Sequence, residues 1–158
     1  MTTPKPARQR TERSTPEAAP QAARLSTILA SMPGVAEQSL RATLESLASI
    51  EIVGTAAGCL SAMQMMHDKK ADLVVIDSNL PFEDVQVFLQ QLRQGGLATH
   101  ALVLAATNGQ VREALTMGAD AALRRDTSLR QLSAAVDTLQ HARIADEPEP
   151  SSEVLSNS

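Results

Sequence analysis

A chain of 158 residues, 43% of them hydrophobic, is long enough for one domain with a buried core. Aromatic residues make up only 1%, Phe82 and Phe88, so Leu, Val, Ile, Ala and Met must build that core, and base stacking on exposed rings is excluded. The formal net charge of −4 removes the electrostatic case for a nucleic-acid backbone binder, and no apolar run approaches the roughly 18 residues of a membrane span.

Residues 1–24, MTTPKPARQRTERSTPEAAPQAAR, hold four prolines and almost no large apolar side chain. They bury too little surface to offset ordering entropy and read as a disordered basic arm. LSTILA (Leu25–Ala30) reads as a first strand, and Pro33-Gly34 breaks it. A helix follows with Ala36, Leu40, Leu44 and Leu47 at helical spacing. IEIVG (Ile50–Gly54) is a second strand, and Cys59 to Lys69 a helix with Leu60, Met63 and Met66 on one face. LVVI is a third strand that runs into Asp77, and VQVFLQQLR a helix through Phe88, Leu89 and Leu92. ALVLAA (Ala101–Ala106) is a fourth strand, Val111–Met117 a short helix, and AALR (Ala121–Arg124) a weak fifth strand. Asp126-Thr127-Ser128 supplies an N-cap for a last helix carrying Leu129, Leu132, Val136 and Leu139. Residues 142–158 are rich in Pro, Ser and acids and read as a disordered acidic tail, which leaves 25–141 as one folded domain.

Five strand–helix alternations with near-continuous apolar strands predict an α/β fold, a doubly wound five-stranded parallel sheet covered on both faces. In such sheets ligands sit beyond the carboxyl ends of the strands. The places to inspect are therefore Ala30-Ser31, Gly54, Asp77, Ala106 and Arg124-Arg125. ASMPGV, after the first strand, is neither G-x-G-x-x-G nor a P-loop, so nucleotide binding is disfavoured. The N-terminus lacks the apolar stretch of a signal peptide, and the lone Cys59 forms no internal disulfide. The expectation is a soluble, cytoplasmic protein with neither nucleic acid nor membrane as partner.

Four stretches stand in a telling order: LRATLE, IEIVGTAAG, VVIDSNLP and ALTMGADAALRRDTSLRQLSAAV. The last contains a helix, a Gly-Ala-Asp turn, a strand, a basic residue and a final helix. Over Leu25 to His141 the chain thereby resembles the response-regulator receiver domain, most of all receivers that precede a helix-turn-helix DNA-binding domain. The resemblance implies the flavodoxin-like (βα)5 receiver fold and a place in two-component, phosphorelay signalling. It also implies that Asp77 occupies the phospho-acceptor position, which in the family works with a magnesium ion. The acidic pair that helps hold that ion falls on Ser31 and Met32, a neutral hydroxyl and a soft thioether that Mg²⁺ does not favour. Asp77 and the carbonyl of Asn79 remain as residual metal candidates.

Other positions of the family pattern also depart. The hydroxyl residue that reports phosphorylation falls on Ala105 or Ala106, the fifth-strand lysine on Arg125, and the switching aromatic on Ala122. The loop after the fourth strand, TNGQ, reads as shortened. Arginine keeps the positive charge but is planar and bulkier than lysine. The site is therefore read as degenerate and the chain as a pseudo-receiver. Two states are open for Asp77. It forms an ion pair with Arg125 where the metal would sit, or it is a hydrated acid left at a strand end.

His67, His100 and His141 fall on three different elements, so no metal-ligand spacing exists. No histidine is placed to activate Ser31, Ser78 or Thr107, which disfavours hydrolase chemistry. Two of the three methionines in Met63–Met66 are at core spacing and read as gap-fillers, and Asp84 matches an acid that caps a helix. Family members signal through the face of the last two helices and fifth strand, here Ala114, Leu115, Ala122, Arg124, Gln131 and Leu132. The leading expectation is a non-enzymatic, stand-alone pseudo-receiver without a cofactor or an output domain. It would bind another signalling protein or a second copy of itself, in a bacterial pathway of signal transduction or transcriptional regulation. The alternative is a working receiver phosphorylated on Asp77 by a histidine kinase, with weak Mg²⁺ dependence.

Overall fold

The computed structural model describes residues 24–146. In chain order the elements are β1 (Leu25–Ala30), α1 (Val35–Glu45), β2 (Ile50–Ala56), α2 (Cys59–Lys69) and β3 (Leu73–Ile76). They continue with α3 (Phe82–Gln94), β4 (His100–Ala105), α4 (Asn108–Thr116), β5 (Ala121–Arg124) and α5 (Leu129–Asp146). The strands form one parallel sheet in the order β2-β1-β3-β4-β5. This is the doubly wound arrangement expected from the alternation, with β1 and β3 flanking the point where strand order reverses.

Period-two alternation divides each strand between two cores. Leu25, Leu29, Leu73, Val75, Leu102 and Leu104 face Leu40 and Leu44 of α1 and Leu132, Val136 and Leu139 of α5. Ile28, Val74, Ile76, Ala101 and Val103 face the other way, toward Met66 of α2, Phe88 and Leu92 of α3 and Ala114 of α4. β3 and β4 are buried over their whole length, which is why both read as unbroken apolar runs. On the edge, β2 carries a bulge: Thr27 pairs with Ile52 and Ile28 with Gly54, leaving Val53 as the extra residue.

Some local expectations shift. Leu47 is buried but lies past the end of α1. In α2 the buried residues are Ala62 and Met66, while Leu60 is 74% exposed, so the inward face is rotated from the one expected. Leu129 also points outward, at 53% exposure. Only Ala106 and Thr107 separate β4 from α4, so the connection is short and most of TNGQ is helix. Thr107 is the N-cap of α4, its hydroxyl accepting from Gln110 N at 3.1 Å, and Gln110 Oε1 accepts from Ala106 N at 3.1 Å. This reciprocal box starts the helix earlier than hydrophobic spacing indicates. Asp84 lies in the first turn of α3, where the helix dipole favours an acid, but it is not the cap; that place belongs to Pro81. At the termini, Arg24 donates to Ile50 O at 3.1 Å and so joins the fold rather than the arm. Residues 142–146 are helical and extend α5 past the expected boundary at His141. The rest of the arm and of the tail lies outside the described residues.

The Gly-Ala-Asp turn before β5 has a definite job. Arg93, at the end of α3, donates to Gly118 O at 2.8 Å and to Asp120 at 2.6 Å, while Asp120 also accepts from Ala101 N at 2.8 Å. The turn thus joins α3, β4 and β5 at the amino ends of the strands, opposite the site. Gly118 has φ +113°, and a Cβ there would lie 2.9 Å from Arg93 Cγ. Gly118→Ala is expected to lower stability by about 1–3 kcal/mol through backbone strain and a displaced Arg93, as measured by urea unfolding.

Candidate functional site

Three strands deliver the site from their carboxyl ends. β1 runs out into Ser31, β3 into Asp77 and β5 into Arg125. Because β1 and β3 are neighbours, Asp77 N continues the ladder by donating to Ala30 O at 2.9 Å, which sets Asp77 beside Ser31. Arg125 N likewise donates to Ala105 O at 2.8 Å. Arg125 lies two strands from Asp77, a separation of about 9–10 Å at ordinary strand spacing, so only a long side chain can bridge it. Its path crosses the end of β4, where Ala105 and Ala106 present nothing larger than a methyl group.

The Asp77 carboxylate is 2% exposed and closed by internal donors. Oδ1 accepts from Arg125 Nε at 2.8 Å and from Ser78 N at 2.7 Å. Oδ2 accepts from Ser31 Oγ at 2.8 Å. A hydroxyl has one hydrogen, so Ser31, having given its own to Asp77, accepts from Asn79 Nδ2 at 3.1 Å. The Asn79 carbonyl oxygen in turn accepts from Met32 N at 3.1 Å. Arg125 Nη2 reaches Ala36 O at 3.4 Å, and its side chain keeps 33% exposure. One network therefore joins the β1–α1, β3–α3 and β5–α5 connections.

Of the two states open for Asp77, the direct ion pair is the one present. Ser31, Asp77, Asn79 and Arg125 come together as a connected group. Met32 contributes only its backbone, its side chain standing 48% exposed. Ala105 is buried and Ala122 half-buried, neither bearing a polar side-chain atom. The expected interaction face needs correction: Ala114, at 0% exposure, and Leu132, at 4%, belong to the two cores. Their small or apolar character marks packing rather than a surface. The exposed remainder is Leu115 and Gln131, beside half-buried Ala122 and Arg124, with Arg124 paired to Asp126 at 2.9 Å and Gln131 bonded to Thr127 at 2.7 Å. The Ser78 backbone donor was invisible in the sequence, since every residue type carries that group.

The donor set does not fit a magnesium ion. Asp77 supplies one carboxylate, and a guanidinium already occupies its Oδ1. The Asn79 side-chain oxygen is turned to Met32 N, and Ser31 adds no charge. Among the described residues no group of three His, Cys, Asp or Glu side chains is arranged to hold a metal.

The response regulator receiver domain model matches residues 34–137, more than half of the chain. This chain belongs to the response regulator receiver domain family. Among curated protein sequences no significant match is found. Solved receivers share the fold. The signal receiver domain of NarL from Mycobacterium tuberculosis aligns with TM-score 0.67 at 20% identity, covering 75% of this chain and 97% of that one. A DNA-binding response regulator of the LuxR family from Staphylococcus aureus gives TM-score 0.62 and 17% identity, covering 73% and 98%. RcsB of Salmonella enterica serovar Typhimurium, solved bound to promoter rprA, gives TM-score 0.65 and 15% identity over 75% of this chain and 61% of that one. These neighbours include DNA-binding proteins and lend no support to the expectation that nucleic acid is not a partner. No helix among the described residues of this receiver is long and apolar enough to cross a membrane.

The Arg125–Asp77 contact holds a carboxylate side chain only 1% exposed, so its energetic role is measurable. Removing one member of a buried pair costs about 3–5 kcal/mol; with Arg125 a third exposed, about 3 kcal/mol is expected for Asp77→Ala. Arg125→Ala should cost a similar amount, and the double variant clearly less than the sum, in a urea-denaturation cycle. An Asp77→Ala midpoint equal to wild type would remove the structural role. Elsewhere, burial pushes the Cys59 thiol from 9.0 to about 11, with the charge of Asp84 adding to it, against the opposing pull of the α2 N-terminus. Ellman's reagent at pH 8 should therefore modify Cys59 at least about tenfold more slowly than a thiol with the ordinary value, the lower thiolate fraction outweighing its higher nucleophilicity.

Proposed function

We propose that this receiver is a pseudo-receiver, a non-enzymatic protein-interaction module that signals without being phosphorylated. The observation that carries the reading is the 2.8 Å contact from Arg125 Nε to Asp77 Oδ1. A phospho-acceptor must present a free carboxylate oxygen, with a cation beside it to offset the charge of the incoming group. Here the positive charge is covalently part of the chain and each carboxylate oxygen already accepts an internal hydrogen bond. The loops around Asp77 are already drawn together by Ser31, Asn79 and Arg125, so the site holds one arrangement without a phosphoryl group. With Ala105 and Ala122 at the family's reporter and switch positions, no hydroxyl or ring is present there to transmit a change.

Output then rests on surface contacts. The partner is another signalling protein or a second copy, meeting the face of α4, β5 and α5 through Leu115, Arg124 and Gln131. The position of Asp77, buried at the end of β3 as in the family pattern, favours a second reading in which it still accepts a phosphoryl group from a histidine kinase. Intact-mass spectrometry after incubation with acetyl phosphate and Mg²⁺ separates the two, with a competent receiver as positive control. The expected result is no adduct. A phosphoryl adduct that disappears in Asp77→Asn would establish the second reading and overturn the first.

A further inference from the structure

Away from Asp77, the start of α2 and the outer side of α3 border an open groove of about 460 Å³. Buried Phe88 and half-buried Cys59 line it, and Leu60 and Val87 flank it at 74% and 51% exposure. Leu60 is free for this surface because Ala62 and Met66 take the inward positions of α2. Charge in the groove has one sign. Asp84 is on the lining, Glu83 precedes it in the first turn of α3, and among the described residues no Lys, Arg or His lines the groove. Both acids are exposed, and neither forms an ion pair among the described residues. Asp84 also acts on α2 across the groove, since its charge helps to raise the Cys59 thiol.

We propose that this groove binds the basic segment Lys5–Arg13 of the same chain. The segment, KPARQRTER, carries Lys5, Arg8, Arg10 and Arg13 against the single acid Glu12. Lysine and arginine have apolar stems and charged heads, a match for exposed Leu60 and Val87 beside Asp84 and Glu83. Pro6 and Ala7 add apolar surface between the bases. The other segment outside the described residues, 147–158, carries Glu147, Glu149 and Glu153, which the same acids would repel. Reach is sufficient. Arg24 donates to Ile50 O at the start of β2, and α2 begins just beyond the other end of that strand. The seven residues of β2 span about 23 Å, whereas the eleven steps from Arg24 back to Arg13 extend to about 36 Å. A tether of this kind raises the local concentration of the segment to about the millimolar range, so weak contacts suffice. The proposal is independent of whether Asp77 accepts a phosphoryl group.

The test compares amide ¹H–¹⁵N spectra of the full chain with those of the double variant Arg8→Glu/Arg10→Glu, whose changes lie outside the described fold. Shifts at Leu60, Ser61, Val87 and Gln91 are expected, unaltered by about tenfold dilution of the protein. A synthetic peptide of residues 1–13 should then bind the double variant saturably at those amides, with a dissociation constant on the order of 1 mM. Its affinity for the wild type should be about threefold lower or less, because the tethered segment competes. Leu60 is exposed, so Leu60→Ser keeps the fold; added to the double variant, it should weaken the peptide about threefold or more. Coincident groove amides in wild type and double variant overturn the proposal, as does equal peptide affinity for the two. Peptide binding unchanged by Leu60→Ser overturns the groove as the site. Shifts that fade on dilution assign the groove to the segment of a second copy and overturn binding within one chain.

Discussion

A carboxylate with 2% exposure at the centre of a sheet's carboxyl edge is the constraint around which the rest of this site is arranged. Leaving such a charge unpaired in a poorly solvated place is costly, and the fold meets that cost with a guanidinium, a hydroxyl and a backbone N–H. Each donor comes from a different part of the chain. The ion pair therefore does more than neutralise Asp77: it ties the end of β5 to the end of β3 across β4. Because Arg125 also touches Ala36 O, the start of α1 is drawn into the same network.

That arrangement has a consequence for how such a domain carries information. A dissociable cation and a transferable phosphoryl group would let the loops exchange between two arrangements. In this structure the positive charge beside Asp77 comes from Arg125, which is part of the chain. The alanines at the end of β4 then have a double effect. They leave the path of Arg125 clear, and they line a cleft of about 240 Å³ beside Asp77. The loss of a reporter hydroxyl and the presence of a cavity are thus one structural fact seen from two sides.

The opposite end of the sheet is built on a different principle. There the Arg93–Asp120 pair and the left-handed Gly118 hold α3, β4 and β5 together far from the site. The Gly-Ala-Asp motif that helped carry the family resemblance is a packing device, not a chemical one. This explains why the motif is intact in a chain whose phosphorylation-site positions have departed from the pattern: the two ends answer to separate constraints. Fold is preserved by burial and turn geometry, whereas phosphoryl chemistry needs particular charges at particular strand ends.

Much of this was legible in the sequence. The apolar runs LVVI and ALVLA, the breaks after them and the helical spacing of Leu40, Leu44, Leu132 and Val136 specify strands, helices and a sheet covered on both faces, because burial follows periodicity. The family motif located Asp77, Ser31 and Arg125 at strand ends. What it left open was whether the acid and the arginine meet, since that depends on strand order and on what stands between them. Surface assignment was weaker: the family resemblance put Ala114 and Leu132 on an interaction face although both are buried, and Leu60 on α2 points outward because the inward face of that helix is Ala62 and Met66. The cleft and the Ser78 donor were beyond reach, one being empty space and the other a group common to every residue. The sequence by itself determined the elements, their parallel pairing and the chemical poverty of the phosphorylation site. Only the tertiary structure decided that Arg125 closes on Asp77, because a contact across two strands is set by the register and side-chain clearance of a sheet whose three contributing strand ends lie far apart in the chain.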